Sequence, residues 1–524
     1  MVWRAHHTPE YGRHRNLAEH AKTGVVGGIA VLPSGHMPIT QRPCPAGVSS
    51  FANSIRLVVS GCLLGGLLAA GAADIHAQWP QFRGPNGSGI APGANYPVVF
   101  SPSRNAIWKT AAPYGQSSPV IAGGHVYLTA SEGDRLLTIA LDAATGRELW
   151  RRELRRAHAQ KVYHANDPAS PTAAADDDGV VVFFADFGLA AFTPDGKDRW
   201  TLPLGPFKSF YGMSASPIIT GDLVVLLCDQ RSGSFLIALD RKTGGQRWRQ
   251  DRAMAVEGWA TPIVFQPSAG PAQLVVLGTT RLDSYAIDSG EPLWWIPIGS
   301  SGSMGTPVAH GDTIYMSTTG STEPTLPTFE SILDKYDTNK DRRLSQAEFL
   351  ADKEMGEHFG WVDIDGDGVI TDAEWNTTRN LGAGEYGAIA VRPGAARGKL
   401  DATAVQWRFQ KNLPYIPAPL LYENVLYLVK TGGIVTSIDP ATGRTLKAGR
   451  SPGALGEYYA SPVAAEGKIF FANTEGKVTV LKAAGAWEVM EVNDLGEEIH
   501  ATPALSGGRI YVRTRSSVYC FGVK

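Results

Sequence analysis

Cysteine is scarce in this chain of 524 residues, with only four in all. Cys44 and Cys62 fall in the first 77 residues, while Cys228 and Cys520 lie far apart inside the apolar runs VVLLCDQ and VYCFG. No two cysteines are adjacent and none has metal-ligand spacing, so a zinc site and a thiol-redox motif are excluded. Cys228 and Cys520 read as small buried hydrophobes rather than as a disulfide. Blocks of one charge are also missing. Lys and Arg number 48 against 50 Asp and Glu, a net of −2, with the signs interspersed. Without a basic stripe there is no footprint for nucleic acid. Beyond residue 77 no apolar run approaches the roughly 20 residues needed to span a bilayer. No Ser-His-Asp set or phosphate loop is visible. The hydrophobic share of 43% is that of a globular protein.

The first 77 residues are different material. They hold six of the twelve histidines and end in SIRLVVSGCLLGGLLAAGAADIHAQ, residues 54–78. Arg56 opens an apolar run from Leu57 to Ala73, and Ile75-His76-Ala77 places small residues before a cleavage point, the pattern of a secretory signal peptide. A lipid anchor at Cys62 is disfavoured because little apolar sequence precedes it, and Met37 is an alternative start. Removing 1–77 takes away six basic and three acidic residues and leaves a mature chain of net −5. The expected location is periplasmic or secreted.

What the mature chain has in abundance is a repeat. A Ser/Thr/Ala-Pro pair recurs at Ser118, Ser170, Ser216, Thr261, Thr306, Ala418, Ser461 and Thr502. The spacings are 52, 46, 45, 45, 112, 43 and 41 residues. After most pairs come an apolar stretch, a glycine turn, a β-rich run and the closing motif ALDxxTGxxxW, clearest at Trp150 and Trp248. Weaker copies end at Trp200, Trp294, Trp407 and Trp487, and TSIDPATGRTL is read with Leu446 in the tryptophan position. Alternating apolar residues make strands, Asp and Thr-Gly make the turn, and tryptophan covers the neighbouring sheet. Such four-stranded sheets bury their faces only by stacking around an axis. Eight starts predict an all-β, eight-bladed propeller. The last copy ends at VYCFGVK without its tryptophan strand, and NAIWKT, residues 105–110, supplies it through Trp108.

ALDAATGRELW and ALDRKTGGQRW resemble the repeats of quinoprotein-type β-propellers, over roughly residues 78–524 outside an insert, and WPQFRGPNGSG (79–89) resembles the start of secreted bacterial PQQ-like repeat proteins. That superfamily holds both pyrroloquinoline quinone (PQQ) alcohol dehydrogenases and a non-catalytic outer-membrane-assembly propeller. The resemblance therefore implies the fold and leaves activity open.

The spacing of 112 exceeds its neighbours by about 67 residues, and the excess is helical in pattern. In PTFESILDKY, Phe329, Ile332, Leu333 and Tyr336 fall on one helix face. Two twelve-residue acidic loops follow. DTNKDRRLSQAE offers Asp337, Asn339, Asp341, the carbonyl of Arg343, Ser345 and Glu348. DIDGDGVITDAE offers Asp363, Asp365, Asp367, the carbonyl of Val369, Thr371 and Glu374. Oxygens at positions 1, 3, 5, 7, 9 and 12 are what a calcium ion takes from a helix-loop-helix site, and the unit resembles an EF-hand pair. Leu344 and Ile370, each at position 8, are expected to pair. The loops are unequal: Arg342 stands where the second loop has Gly368, and Lys340, Arg342 and Arg343 offset the first loop's carboxylates. The bland alternative is a pair of solvated acidic turns. The domain reading is a leader at 1–77, propeller at 78–321 and 383–524, and a calcium unit at 322–382 inserted in blade five.

Residues five and three places before each proline should line a funnel at one end of the axis. They include Asn166, Glu257, Trp259, Glu457, Glu498 and His500. The open readings are a polar ligand pocket or a wet channel. A PQQ enzyme would need calcium held by carboxylate and amide groups and a tryptophan platform, for which Asn166, Glu257 and Trp259 are the candidates. The adjacent-cysteine disulfide common in such enzymes is missing, and bare spacings of 41–46 leave little room for catalytic loops. The favoured reading is a calcium-binding scaffold with an envelope partner. The alternative is a PQQ-dependent oxidoreductase.

Overall fold

The computed structural model describes residues 78–523, except 161, 164, 210, 254, 303, 325, 351, 353–355, 357 and 358. The expected leader at 1–77, with Met37, Arg56 and Cys62, lies outside the described residues. Among the described residues the chain forms eight antiparallel blades, with spatial order equal to sequence order in all but the last, and a separate two-stranded sheet in the insert. Blade one is Val120–Ala122, His125–Glu132, Arg135–Asp142 and Glu148–Arg155, from axis to rim. Second and third strands are buried on both faces, as in Gly179–Phe184 and Gly188–Phe192 of blade two, because a neighbouring blade covers each side. Outer strands such as Gln246–Asp251 alternate exposed and buried. Continuous apolar runs and alternating ones therefore belong to different radii of one wheel.

The ring closes as the missing tryptophan strand requires. Ala106–Ala111 completes the last sheet, with Trp108 opposite Cys520 and Lys109 opposite Tyr519. Five of the eight joints between blades repeat one device, whereas Trp294 of blade four donates to Gln273 of its own blade. In blade one the Asp142 carboxylate accepts the Ala144 and Thr145 N–H groups and the Thr145 hydroxyl, and Gly146 takes φ 73°. A Cβ on Gly146 would lie 2.5 Å from the Trp108 ring, so glycine lets the indole of the preceding blade lie flat on the turn. The indole N–H then donates to that turn: Trp108 to Ala143, Trp150 to Pro194, Trp200 to Arg241, Trp248 to Ile287 and Trp407 to Pro440, at 2.7–3.1 Å.

Three repeat assignments need correction. The strand register pairs Lys447, not Leu446, with Ser437, so lysine occupies the tryptophan position of blade six. Leu446 is one residue too early because the turn from Gly443 needs four steps, as from Gly146 to Trp150. Trp487 likewise precedes its blade's outer strand, Glu488–Asp494, and sits at the turn. It reaches back to blade six, 3.3 Å from a Cβ placed on Gly449 and 4.2 Å below the Lys447 ammonium. Blade seven thus supplies the indole that blade six lacks. In blade two the innermost strand is Ala174–Asp176, so the repeat starts at Thr172 rather than Ser170.

With that shift a second ring appears. The backbone N–H at each repeat start donates to the hydroxyl of the next: Ser118 to Thr172, Thr172 to Ser216, Ser216 to Thr261, Thr261 to Thr306, Ala418 to Ser461, Ser461 to Thr502 and Thr502 to Ser118, at 2.9–3.3 Å. Only the joint from Thr306 to Ala418 has no hydroxyl to accept.

The segment from Trp79 to Ala91 closes the axis. It bonds to the middle residue of the innermost strand in four blades: Ile121, Ala175, Val264 and Ala464. An innermost strand leaves one edge unpaired, and this segment satisfies it. Arg83 is fully buried there and donates to the Pro419 carbonyl at 2.7 Å, and burial lowers its pKa to about 9.

The insert leaves blade five between its second and third strands, Thr313–Thr318 and Gly387–Val391, where Ser321 bridges Ala383. It contains α1 (Phe329–Tyr336), α2 (Gln346–Leu350), α3 (Phe359–Val362) and α4 (Asp372–Asn380). Thr328 caps α1, which buries Phe329, Ile332, Leu333 and Tyr336, while Thr371 and Glu374 form a capping box on α4. Phe349, Phe359 and Trp375 form the aromatic centre of the unit. Between the third and fourth strands of blade five, Gly398–Lys399 adds a short parallel strand to the rim of blade four.

Candidate functional site

Both acidic loops are folded by the same hydrogen bonds. In the second, the Asp363 carboxylate accepts the Gly366 and Gly368 N–H groups at 2.8 and 3.1 Å, and Glu374 accepts those of Ile364 and Thr371 at 2.8 and 2.9 Å. Asp365 and Asp367 receive the N–H groups of Asp367 and Val369. In the first, Asp337 accepts from Asp341 and Arg342, Glu348 from Thr338 and Ser345, Asn339 from Asp341, and Asp341 from Arg343. The donors of Ser345, followed by Thr338, hold the Glu348 carboxyl at about 2. Leu344 pairs with Ile370 and Ser345 with Val369, which sets the loops side by side.

The difference between the loops lies in the turn and the oxygens. Asp363, Asp365 and Glu374 bring carboxylate oxygens within 4.8 Å of one another, and Asp363 is buried. Gly368 takes φ 86° without strain, whereas Arg342 takes φ 62° and Lys340 φ 60°. A side chain in that region costs about 1 kcal/mol. The Arg342 guanidinium turns away from the loop to pair with Glu330 on α1.

The funnel is built from segments just before the innermost strands. His500 Nδ1 lies 3.2 Å from Gln116 Nε2, and the Gln116 carbonyl oxygen accepts the Ser170 hydroxyl at 3.0 Å. Ser170 also donates to Asn166, whose amide donates to the Tyr211 carbonyl at 2.8 Å. Burial, reinforced by Arg515 and opposed by Glu498 and Glu457, lowers the His500 pKa and favours the neutral ring. Glu498 pairs with Arg515 at 2.8 Å, and Glu457 accepts the Tyr459 hydroxyl at 3.3 Å. On the other side Glu257 accepts the Ser209 hydroxyl at 2.8 Å and faces Arg231 at 3.6 Å. A depression lined by Tyr114, Gln116, Glu498, His500, Arg513 and Arg515 has room for about one water.

A family model described as outer membrane protein assembly factor BamB matches residues 101–233 and 231–524, most of the chain. The chain belongs to that family. The BamB from Moraxella catarrhalis is 14% identical, over 80% of this chain and 97% of that one, with a TM-score of 0.49. The quinohemoprotein alcohol dehydrogenase from Comamonas testosteroni is 12% identical, over 86% and 81%, at 0.48. The computationally designed Ika8 protein is 10% identical, over 82% and 100%, at 0.49. No curated protein matches. This member of the BamB family thus combines PQQ-like blades with a helical insert.

Against the expectations, Asn166 shifts. With the repeat starting at Thr172, it lies two residues further from its strand than Glu257 does from its own, and it joins the funnel network through Ser170. Glu457, Glu498 and His500 gather on blades seven and eight, Glu257 and Trp259 on blade four. A quinone seat needs an open indole face and unengaged oxygens for its calcium. Trp259 is 8% exposed, stands edge-on to Tyr211 and donates to the Gly212 carbonyl, and both Asn166 and Glu257 are bonded to protein groups. These residues do not fit a quinone and its metal as they stand. Arg231 and Lys208, which contact the insert, carried no repeat or motif that marked them in the sequence.

Proposed function

We propose that this chain is a calcium-binding propeller of the bacterial envelope that works as a binding or assembly scaffold. The observation that carries the calcium reading is the second loop of the insert. Three carboxylate groups converge there, the sharp turn is glycine, and backbone N–H groups already orient the outer oxygens. Calcium takes six to eight hard oxygens, and Asp363, Asp365, Asp367, the Val369 carbonyl, Thr371 and Glu374 offer that number when Glu374 binds through both oxygens. Asp337, Asn339, Asp341, the Arg343 carbonyl, Ser345 and Glu348 form a weaker counterpart. Extracytoplasmic calcium is plentiful enough to fill sites of about 10⁻⁴–10⁻³ M, and a bound ion would fix the fold of its own loop.

The scaffold reading rests on the family's description as an assembly factor and on the leader pattern at 54–78. It fits a ring whose funnel carboxylates are paired with protein groups. Calorimetric titration of the mature chain with calcium tests the first part, with heat from two unequal sites expected and a flat titration decisive against it. Cross-linking in the native envelope tests the second. A reproducible protein partner is the expected result, and a chain recovered alone from the cytosol would contradict it.

A further inference from the structure

The insert does not hang free of the ring. In antiparallel blades the loops joining second to third strands open on the same face as the segments leading to the innermost strands. The insert and the loop after Cys228 therefore both rise beside the funnel. The stem is fixed where Gly384 donates to Ser321 and Gly299 to Glu385, at 2.8 and 3.0 Å. From blade five the unit then reaches past blade four to blade three. There the Lys208 ammonium donates to the Asp365 carbonyl at 3.1 Å. The Arg231 guanidinium donates to the carbonyls of Gly360, Trp361 and Asp363, the last at 3.2 Å. The Arg231 side chain is 9% exposed and also faces Glu257 of the funnel wall at 3.6 Å. One guanidinium thus joins the funnel to the backbone of the second acidic loop.

We propose that the helical unit is a lid on the blade-three side of the funnel, latched by Arg231 and Lys208 and loosened when calcium enters the second loop. The lid and its latch stand on the contacts above, while the calcium arm rests on the reading of that loop as a calcium site. The second loop carries five carboxylates (Asp363, Asp365, Asp367, Asp372 and Glu374), and Asp363 and Glu374 stand close enough to act electrostatically on Arg231. Their negative charge strengthens the latch. A bound calcium adds two positive charges to the same loop and offsets that attraction. By reciprocity, the latch must weaken calcium binding to the degree that calcium weakens the latch. Release also takes the Arg231 cation away from Glu257, which keeps its bond from the Ser209 hydroxyl.

The experiment is hydrogen exchange on the full mature chain and its Arg231→Gln variant, paired with calcium titration of both. In chelator, the variant should exchange faster over residues 359–362 and at Lys208, Ser209 and Tyr211, while Leu223–Cys228 stays protected and shows that blade three is folded. Calcium added to the wild type should produce the same loosening, and the variant should bind calcium about fivefold more tightly. Unchanged exchange in the variant overturns the latch. Calcium that increases protection at this seam, or a variant that binds calcium more weakly, overturns the release. If neither protein takes up calcium while the variant still loosens, the latch stands and the calcium reading and release both fall.

Discussion

Replacing Thr261 with valine removes one hydroxyl from the ring of bonds that joins the blades around the axis. Thr261 is 3% exposed, and its hydroxyl accepts the Ser216 N–H at 3.2 Å. Valine preserves the shape and leaves that N–H without an acceptor where water does not reach. An unmet buried donor costs about 1–3 kcal/mol. A domain of 150–250 residues shifts by about 2–4 °C per kcal/mol and a larger one by less, so a fall of roughly 2–5 °C is expected here. Thr261→Ser keeps the hydroxyl and should recover most of the loss. The converse substitution is Ala418→Ser, which offers Thr306 the acceptor that its joint lacks and should add about 1 kcal/mol. Thermal unfolding followed by circular dichroism, with guanidinium titration as a second probe, measures all three. A Thr261→Val protein as stable as the wild type, or a Thr261→Ser protein as weak as the valine variant, would refute the reasoning.

Trp108→Ala should be costlier, about 3–5 kcal/mol in the same unfolding assay, because it empties the closure joint over Gly146 and removes the bond to Ala143. His500 has a lowered pKa when folded, so the unfolded chain binds its proton more readily. Stability from this residue is full above the ordinary histidine pKa and falls as pH drops through it, and His500→Gln should flatten the loss of melting temperature between pH 7.5 and 5.5. Removing calcium with a chelator should lower the thermal stability of the two acidic loops themselves, keep the seam between the insert and blade three closed, and leave the main calorimetric transition of the ring in place. A single transition displaced as a whole would mean that the insert is a keystone of the propeller.

The blade count and closure were legible because a packed sheet needs its Asp-Thr-Gly turn and tryptophan at fixed places, and Trp108 stood alone at the wrong end of the chain. The acidic loops were legible for the same reason, since ligand spacing is local. What misled was repetition without register. Ser170-Pro171 imitates the repeat start that Thr172 occupies, and it displaced Asn166 from its frame. Leu446 looked like the substitute for tryptophan, but the bulge after Ser437 assigns that place to Lys447, with Trp487 supplying the indole from the next blade. The axial segment from Trp79 to Ala91 and the latch at Arg231 rest on contacts between residues far apart in the chain, from Trp79 with Ile121 to Gly89 with Ala464, and no spacing in the sequence announces them.

The second loop of the insert should be the stronger calcium site. Calcium titration of the mature chain beside Glu374→Gln and Glu348→Gln tests it most directly. The second loop should bind about tenfold more tightly than the first, or about 1.4 kcal/mol. Glu374→Gln should therefore abolish the tighter phase, and Glu348→Gln should remove only the weaker one. Loss of the tighter phase in Glu348→Gln instead, or identical isotherms for Glu374→Gln and the wild type, would contradict the claim.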